Sequence, residues 1–221
     1  MSDRTLTSGK ATMSDPSARA HEDGLAALVP PSCWVQRWLH DLPAASRIVD
    51  VAAGSGRHAR LAASQGHRVL AVDRDGPALA RLASLDARIA TLCADLESGP
   101  WPLAPGAFDA VIVTNYLFRS RFALLCGLLA PGGRLVYETF AQGNQAFGRP
   151  SNPAFLLRDG ELLDRCAAAG LVIVAYETGV RRQPGPAVVQ RVCALRPARR
   201  PAAASSAKLE VLPTELPNLP S

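Results

Sequence analysis

The sequence predicts an α/β fold: a doubly wound, mostly parallel seven-stranded sheet that ends in a C-terminal antiparallel hairpin. Three observations carry this. Between residues 27 and 196, short apolar strand-like runs alternate with helix-like stretches, the pattern of βαβ units and a parallel sheet. The last two strand-like runs are joined by only residues 179–186, which contain the turn signal Gln-Pro-Gly-Pro. A parallel crossover needs about a dozen residues or more, so these two strands must be antiparallel neighbours. Finally, 221 residues at 48% hydrophobic content suffice for one sizeable core plus tails.

The elements follow in order. Residues 33–42 place Trp34, Trp38 and Leu42 at a helical period. Residues 47–52 (RIVDVA) form a short buried strand, and 57–66 a helix that ends at Gly66. A second strand covers 68–73. The helix over 75–85 has Asp75 as its N-cap and Pro77 in its first turn. Strands are expected at 88–95, 108–116 and 134–140, with a helix ending in a turn at 121–133. A helix at 158–169 precedes the hairpin strands 171–179 and 187–196.

Residues 1 to about 26 are small and polar, and 197–221 are rich in Pro, Ala and Ser, so both are expected to be disordered tails around a domain spanning 27–196. The net charge of +5 invites a nucleic-acid reading. It is discounted because all basic residues except Lys10 and Lys208 are Arg and they are spread along the chain, which fits a coding bias. One local excess comprises Arg181, Arg182, Arg191, Arg196, Arg199 and Arg200. Cys33, Cys93, Cys126, Cys166 and Cys193 are widely spaced without a CxxC, so buried free thiols are expected and no metal site. With no secretory h-region and no apolar run of the ~18–20 residues a membrane span needs, a reducing, cytoplasmic setting is expected.

Gly54-Ser55-Gly56-Arg57-His58-Ala59 fits G-x-G-x-x-A, a Rossmann-like phosphate or dinucleotide loop, and Asp73 ends the next strand where an acid can hold a ribose. Those residues alone leave a nicotinamide or flavin cofactor and a ligand-free tight turn open. Three features favour a sulfonium cofactor. Asp50, four residues before Gly54, suits a cationic amino group and would repel a pyrophosphate. Asp95, at the end of the third strand run, could accept from an adenine amino group. The terminal hairpin is foreign to nicotinamide domains.

At this point the sequence resembles the class I S-adenosylmethionine-dependent methyltransferases. "IVDVAAGSGRHAR" is similar to their first motif, usually D-x-G-x-G-x-G, with Ala52 in the first glycine position. "VLAVDRD", "CADLES", "FDAVIVTNYLFR" and "LLAPGGRLVYETF" resemble the later motifs in order, so the match covers about 46–196. The resemblance implies S-adenosyl-L-methionine as cofactor. Asp50 and the backbone around Ala52, Gly54 and Gly56 would take its methionine moiety. Asp73 would accept the ribose hydroxyls, Arg74 would flank the adenine, and Asp95 with the Leu96 backbone would read its edge. Thr114, Asn115 and Tyr116 would line the wall beside the sulfonium.

Methyl transfer from a sulfonium needs no protein nucleophile and draws mainly on proximity and orientation, so no catalytic residue is assigned. A general base is needed only for an acceptor protonated at working pH. His21, His40, His58 and His67 are scattered and are not expected to be catalytic. Acceptor specificity is expected from 33–42, 114–122 and a Gly/Asn/Pro-rich insert at 141–162 that follows the fifth strand as a lid. More loosely, "NPAFLLRDGELLDRCAAAGLVIVAYETG" resembles the small-molecule branch related to tellurite-resistance and thiopurine methyltransferases, and Glu138, Arg149, Asn152, Glu177, Arg181 and Arg182 become acceptor-binding candidates. The expected partner is a small-molecule acceptor, with no membrane and no nucleic acid, for a monomer or homodimer. The alternatives are an RNA- or protein-modifying methyltransferase, a dehydrogenase, and a non-catalytic methyltransferase-like protein.

Overall fold

The structure, a computed structural model, describes residues 29–198. Both expected tails therefore lie outside the described residues, apart from Pro197 and Ala198. Five α-helices and seven strands follow one another among the described residues: α1 (Cys33–Leu39), β1 (Arg47–Val51), α2 (Arg57–Ser64), β2 (Arg68–Asp73), α3 (Gly76–Ala83), β3 (Ile89–Cys93), β4 (Phe108–Thr114), α4 (Phe122–Gly127), β5 (Leu129–Phe140), α5 (Glu161–Ala168), β6 (Val172–Arg181) and β7 (Ala187–Leu195). Single 3-10 turns lie at Arg119–Arg121, Asn144–Ala146 and Pro153–Phe155.

The sheet order is β3-β2-β1-β4-β5-β7-β6. The β1–β2, β1–β4, β2–β3 and β4–β5 pairs are parallel, while β7 is antiparallel to both β5 and β6. The chain starts in the middle, builds outward to β3, then returns to the other side of β1, which makes the β1/β4 boundary a topological switch point.

Period-2 alternation divides the strand side chains between two cores. Val49, Val51, Val111, Val113, Tyr137 and Val192 face α4 and α5, whose Phe122, Leu125, Leu162 and Cys166 cover them. Ile48, Ala71, Ala110, Ile112, Val136 and Cys193 face the other way, under Trp34, Val35 and Leu39 of α1, Ala59 and Ala62 of α2, and Leu79 and Leu82 of α3. Each fully buried Val, Leu or Ile contributes about 1.5–3 kcal/mol. Local caps agree with this packing. The Ser32 hydroxyl accepts the Trp34 N–H at the start of α1, and Asp75 accepts the Ala78 N–H at 3.0 Å at the start of α3.

Several expectations are corrected. The helix read over 121–133 ends at Gly127, and Leu129 already pairs with Phe108. The apolar run 122–130 suits helix or strand, and pairing with β4 decides between them. β3 stops at Cys93; the Ala94 N–H makes one further ladder bond, to the Asp73 carbonyl, and Asp95 sits in the following loop. Cys33 and Cys93 are exposed; Cys126, Cys166 and Cys193 are buried, and all five thiols are free. The 141–162 insert is tethered at several points. Ala141 bridges Leu157, the buried Asn144 side chain accepts the Val188 N–H and donates to the Pro150 carbonyl, and Arg119 bonds Glu161 and the carbonyls of Ala154 and Leu156. Among the described residues, no helix is long and apolar enough to cross a membrane.

Candidate cofactor and acceptor site

The β1–α2 loop is built on left-handed backbone: φ is +55° at Ala52, +55° at Gly54 and +75° at Gly56. Gly56 has two reasons to be glycine, its positive φ and the Leu82 side chain, into which a Cβ would run. Ala52 holds its conformation without that freedom, at a typical cost of about 1–2 kcal/mol for an L-residue. The loop is pinned from β2. Asp73 accepts the Gly54 N–H at 2.8 Å through one carboxylate oxygen and the Asp75 N–H at 2.9 Å through the other.

Asp73 opens onto a cleft of about 280 Å³ at the C-terminal ends of β1, β2 and β3, lined by Ala52, Asp73, Arg74, Ala94, Asp95, Leu96, Glu97 and Tyr116. Ligands of open α/β sheets bind at this edge, beside the switch point. Asp95 accepts the Glu97 N–H and the Ser98 hydroxyl, each at 2.9 Å, and these bonds hold its carboxyl below the usual range. Burial, reinforced by Glu97 and Asp95, pushes the Tyr116 phenol up to about 12, so it stays a donor. The main chain there is anchored by the Tyr137 hydroxyl, which donates to the Tyr116 carbonyl at 2.7 Å.

The structure thus brings Ala52, Asp73, Arg74, Asp95, Leu96 and Tyr116 together around one cleft, over the loop that carries Gly54 and Gly56. Asp50, Thr114 and Asn115 do not line it. Asp50 is 1% exposed and accepts the Ala59 N–H at 3.0 Å in the first turn of α2. Burial, against the opposing Ala59 bond and the Arg57 charge, raises its carboxyl to about 7. Asn115 is exposed, with a left-handed φ of +53°, and its N–H donates to the Glu138 carbonyl.

Thr114 belongs to a second, polar group. Strand register aligns Thr114 with Glu138, Glu138 with Arg191, and Arg191 with Glu177, so these side chains share the sheet face under α1 and α2. Glu138 is 1% exposed. It accepts the Ser32 hydroxyl and one Arg181 N–H, each at 2.6 Å, and the Arg191 Nε lies 3.1 Å away. His58 is buried beside them. Burial and the Arg57 charge lower its pKa to about 3, so the ring is neutral. Its Nε2 accepts the Ser32 N–H at 3.1 Å. The ring proton therefore sits on Nδ1, which donates to the Thr114 hydroxyl at 3.2 Å. Both ring nitrogens are engaged, which removes His58 as a general base and leaves the Thr114 hydroxyl proton able to serve another acceptor.

Of the acceptor-binding candidates, Glu138, Glu177 and Arg181 meet in this group, whereas Arg149, Asn152 and Arg182 are exposed elsewhere, Asn152 capping the 3-10 turn at Pro153–Phe155. Ser32, His58 and Glu97 were not legible as site residues. Ser32 meets Glu138 across 106 positions and His58 meets Thr114 across 56, and no local motif signals either contact.

Residues 48–133 match the model of a methyltransferase domain family. No curated protein sequence matches the chain. Among solved structures, the chain is similar to 1,6-didemethyltoxoflavin-N1-methyltransferase from Burkholderia thailandensis (TM-score 0.60, 21% identity, 86% of this chain and 93% of that one), determined with 1,6-didemethyltoxoflavin and S-adenosylhomocysteine. It is also similar to a TehB-like methyltransferase from Corynebacterium glutamicum (TM-score 0.58, 18% identity, 81% and 96%). A third likeness is to a chain of the Haloferax volcanii complex between the Trm112 methyltransferase activator and its methyltransferase (TM-score 0.63, 15% identity, 86% and 100%). At these identities the likenesses show the fold. The domain match runs from β1 into the start of β5, and the chain shares with these proteins the fold of S-adenosylmethionine-dependent methyltransferases.

Proposed function

We propose that this protein transfers the methyl group of S-adenosylmethionine to a small-molecule acceptor in the cytoplasm. The observation that carries the cofactor half is the cleft between Asp73 and Tyr116. Its donor set fits a nucleoside. A carboxylate offers about four lone-pair sites; Asp73 uses two on Gly54 and Asp75, which leaves two for a ribose diol. Asp95 and the Leu96 main chain present acceptor and donor groups to a purine edge, with the Leu96 and Tyr116 side chains as its apolar walls. Ala52 and Gly54 hold the backbone low enough for a ligand to approach, and Asp50 lies behind them as a counter-charge for a cationic amino group.

When bound, the cofactor supplies a methyl group already activated on sulfur. The chain's own work is then positioning. The Asp73–Gly54 bond fixes the loop against the strand that carries the ribose-binding acid. The His58–Thr114 bond orients a hydroxyl donor on the β4 wall. Neither asks a side chain to attack, in keeping with in-line transfer driven by orientation. The acceptor half rests on the polar group around Glu138, which lies on the adjoining strands and is suited to a polar metabolite. The toxoflavin-precursor enzyme acts on such a molecule, which supports the same class here. The five free cysteines support a reducing compartment.

The test is transfer of labelled methyl groups from S-adenosylmethionine into a small-metabolite extract, with mass identification of the product. Label in a small molecule is expected. Label recovered only in RNA or protein would overturn the acceptor assignment.

A further inference from the structure

A cavity of about 130 Å³ lies over the β6–β7 hairpin, lined by Glu177, Thr178, Gly179, Val180, Arg181, Val189 and Arg191. Its floor is open because Gly179 has no side chain, and a Cβ there would meet nothing within 4 Å. Two of its walls are arginines with unusual environments. The Arg181 side chain is 8% exposed and lies against the Phe140 ring at 5.3 Å. One of its terminal nitrogens donates to Glu138, but its buried Nε has no hydrogen-bond partner. Arg191 is 19% exposed, donates to Glu177, and holds its Nε 3.1 Å from Glu138.

A buried N–H of a charged side chain, such as the Arg181 Nε, is costly to leave unpaired. The local charge is also uneven. Arg37, Arg57, Arg181 and Arg191 surround two carboxylates, Glu138 and Glu177. Buried cations call for matching anions, and guanidinium forks match planar oxyanions.

Position ties the cavity to methyl transfer. Glu138 and Arg191 continue the row that begins at Thr114, beside the end of β1. Neighbouring strands are about 4.8 Å apart, so Arg191 stands about 10 Å from Thr114, within the span of one small metabolite.

We infer that this cavity is the subsite for an oxyanion group of the methyl acceptor, a carboxylate or phosphate held by Arg181 and Arg191. The inference rests on the small-molecule reading above and narrows it to anionic metabolites. Glu138 is the resident counter-ion, and it limits how tightly a free anion binds.

The experiment is calorimetric titration of the full chain with benzoate, inorganic phosphate and the neutral isostere benzamide, with and without saturating S-adenosylhomocysteine. Benzoate or phosphate is expected to bind saturably and benzamide not to bind. Benzoate alone would mark a carboxylate acceptor; phosphate alone would mark a phosphorylated one. Arg181→Gln and Arg191→Gln should each weaken the anion about tenfold or more, the loss expected for a charge-assisted bond. Glu138→Gln should tighten it several-fold, which loss of a merely structural ion pair would not do; this variant keeps the test decisive if Arg181→Gln fails to fold. Equal binding of benzoate and benzamide, no binding of either anion, or anion affinity unchanged in the variants would overturn the inference. If S-adenosylhomocysteine itself does not bind, the cofactor reading fails, while the titration without it still decides the cavity.

Discussion

Asp73 accepts the Gly54 N–H at 2.8 Å, so the acid at the end of β2 also holds the loop that follows β1. One side chain thereby couples the shape of the glycine loop to the cleft it faces. Asp73→Ala removes both this bond and the one to Asp75. The expected outcome is a fall in S-adenosylhomocysteine affinity of about 100-fold, together with a stability loss of about 1–2 kcal/mol, for two bonds to a half-buried carboxylate. Calorimetry and urea titration separate the two effects. An affinity loss no larger than the stability loss predicts would remove Asp73 from ligand contact.

The loop conformation yields a paired prediction. Gly56→Ala places a Cβ at φ +75° against the Leu82 side chain, so it should cost about 2 kcal/mol or more. Ala52→Gly relieves a left-handed alanine while adding backbone freedom to the unfolded chain, so it should be neutral or stabilising by up to about 1 kcal/mol. Equilibrium unfolding of both variants checks the contrast in sign.

Asp50 gives a pH signature. Its carboxyl is raised by burial from 3.8 to about 7, so between those values the folded state binds more protons than the unfolded state. Stability from this group is therefore fully present below pH ~4 and falls as pH rises through about 7. Asp50→Asn should flatten that descent. If Asp50 also faces the cationic amino group of the cofactor, S-adenosylmethionine binding should strengthen as pH rises from 6 to 8, and this gain should vanish in the same variant.

Glu161 predicts the opposite slope at lower pH. Burial pushes its carboxyl up, but bonds from Arg119, the Arg158 N–H and Arg165 outweigh that and hold it at about 2. Its contribution is present above pH ~4.5 and is lost as pH falls through about 2. Glu161→Gln should cost about 2 kcal/mol at pH 7, with the two arginines partly solvated, and should loosen the 141–162 segment that Arg119 ties down. Hydrogen exchange over that segment reports the loosening; unchanged protection there would rule out Glu161 as its tether.

Local chemistry made much of this legible. Asp75 could be read as a cap because an N-cap acts within its own turn, and it bonds Ala78 as expected. Asp73 and Asp95 could be located because strand ends are punctuated by acids and small residues, and both line the cleft. The final hairpin followed from the short connection and its turn signal, because residues 179–186 are too few for a crossover and contain Gln-Pro-Gly-Pro. What stayed hidden depends on distant partners. His58 reads as an ordinary helix residue until folding sets it between Ser32 and Thr114. Arg191 reads only as part of a basic excess until the register sets it beside Glu138. Arg196, from the same excess, donates to the Gly127 and Leu129 carbonyls and is structural.

The central claim is that the cleft between Asp73 and Tyr116 holds S-adenosylmethionine. The most direct measurement is equilibrium binding of S-adenosylhomocysteine to the full chain, with Asp73→Ala and with NAD as competitor. The account predicts saturable binding that the substitution weakens about 100-fold and NAD leaves untouched. Binding of NAD with none of S-adenosylhomocysteine would contradict it.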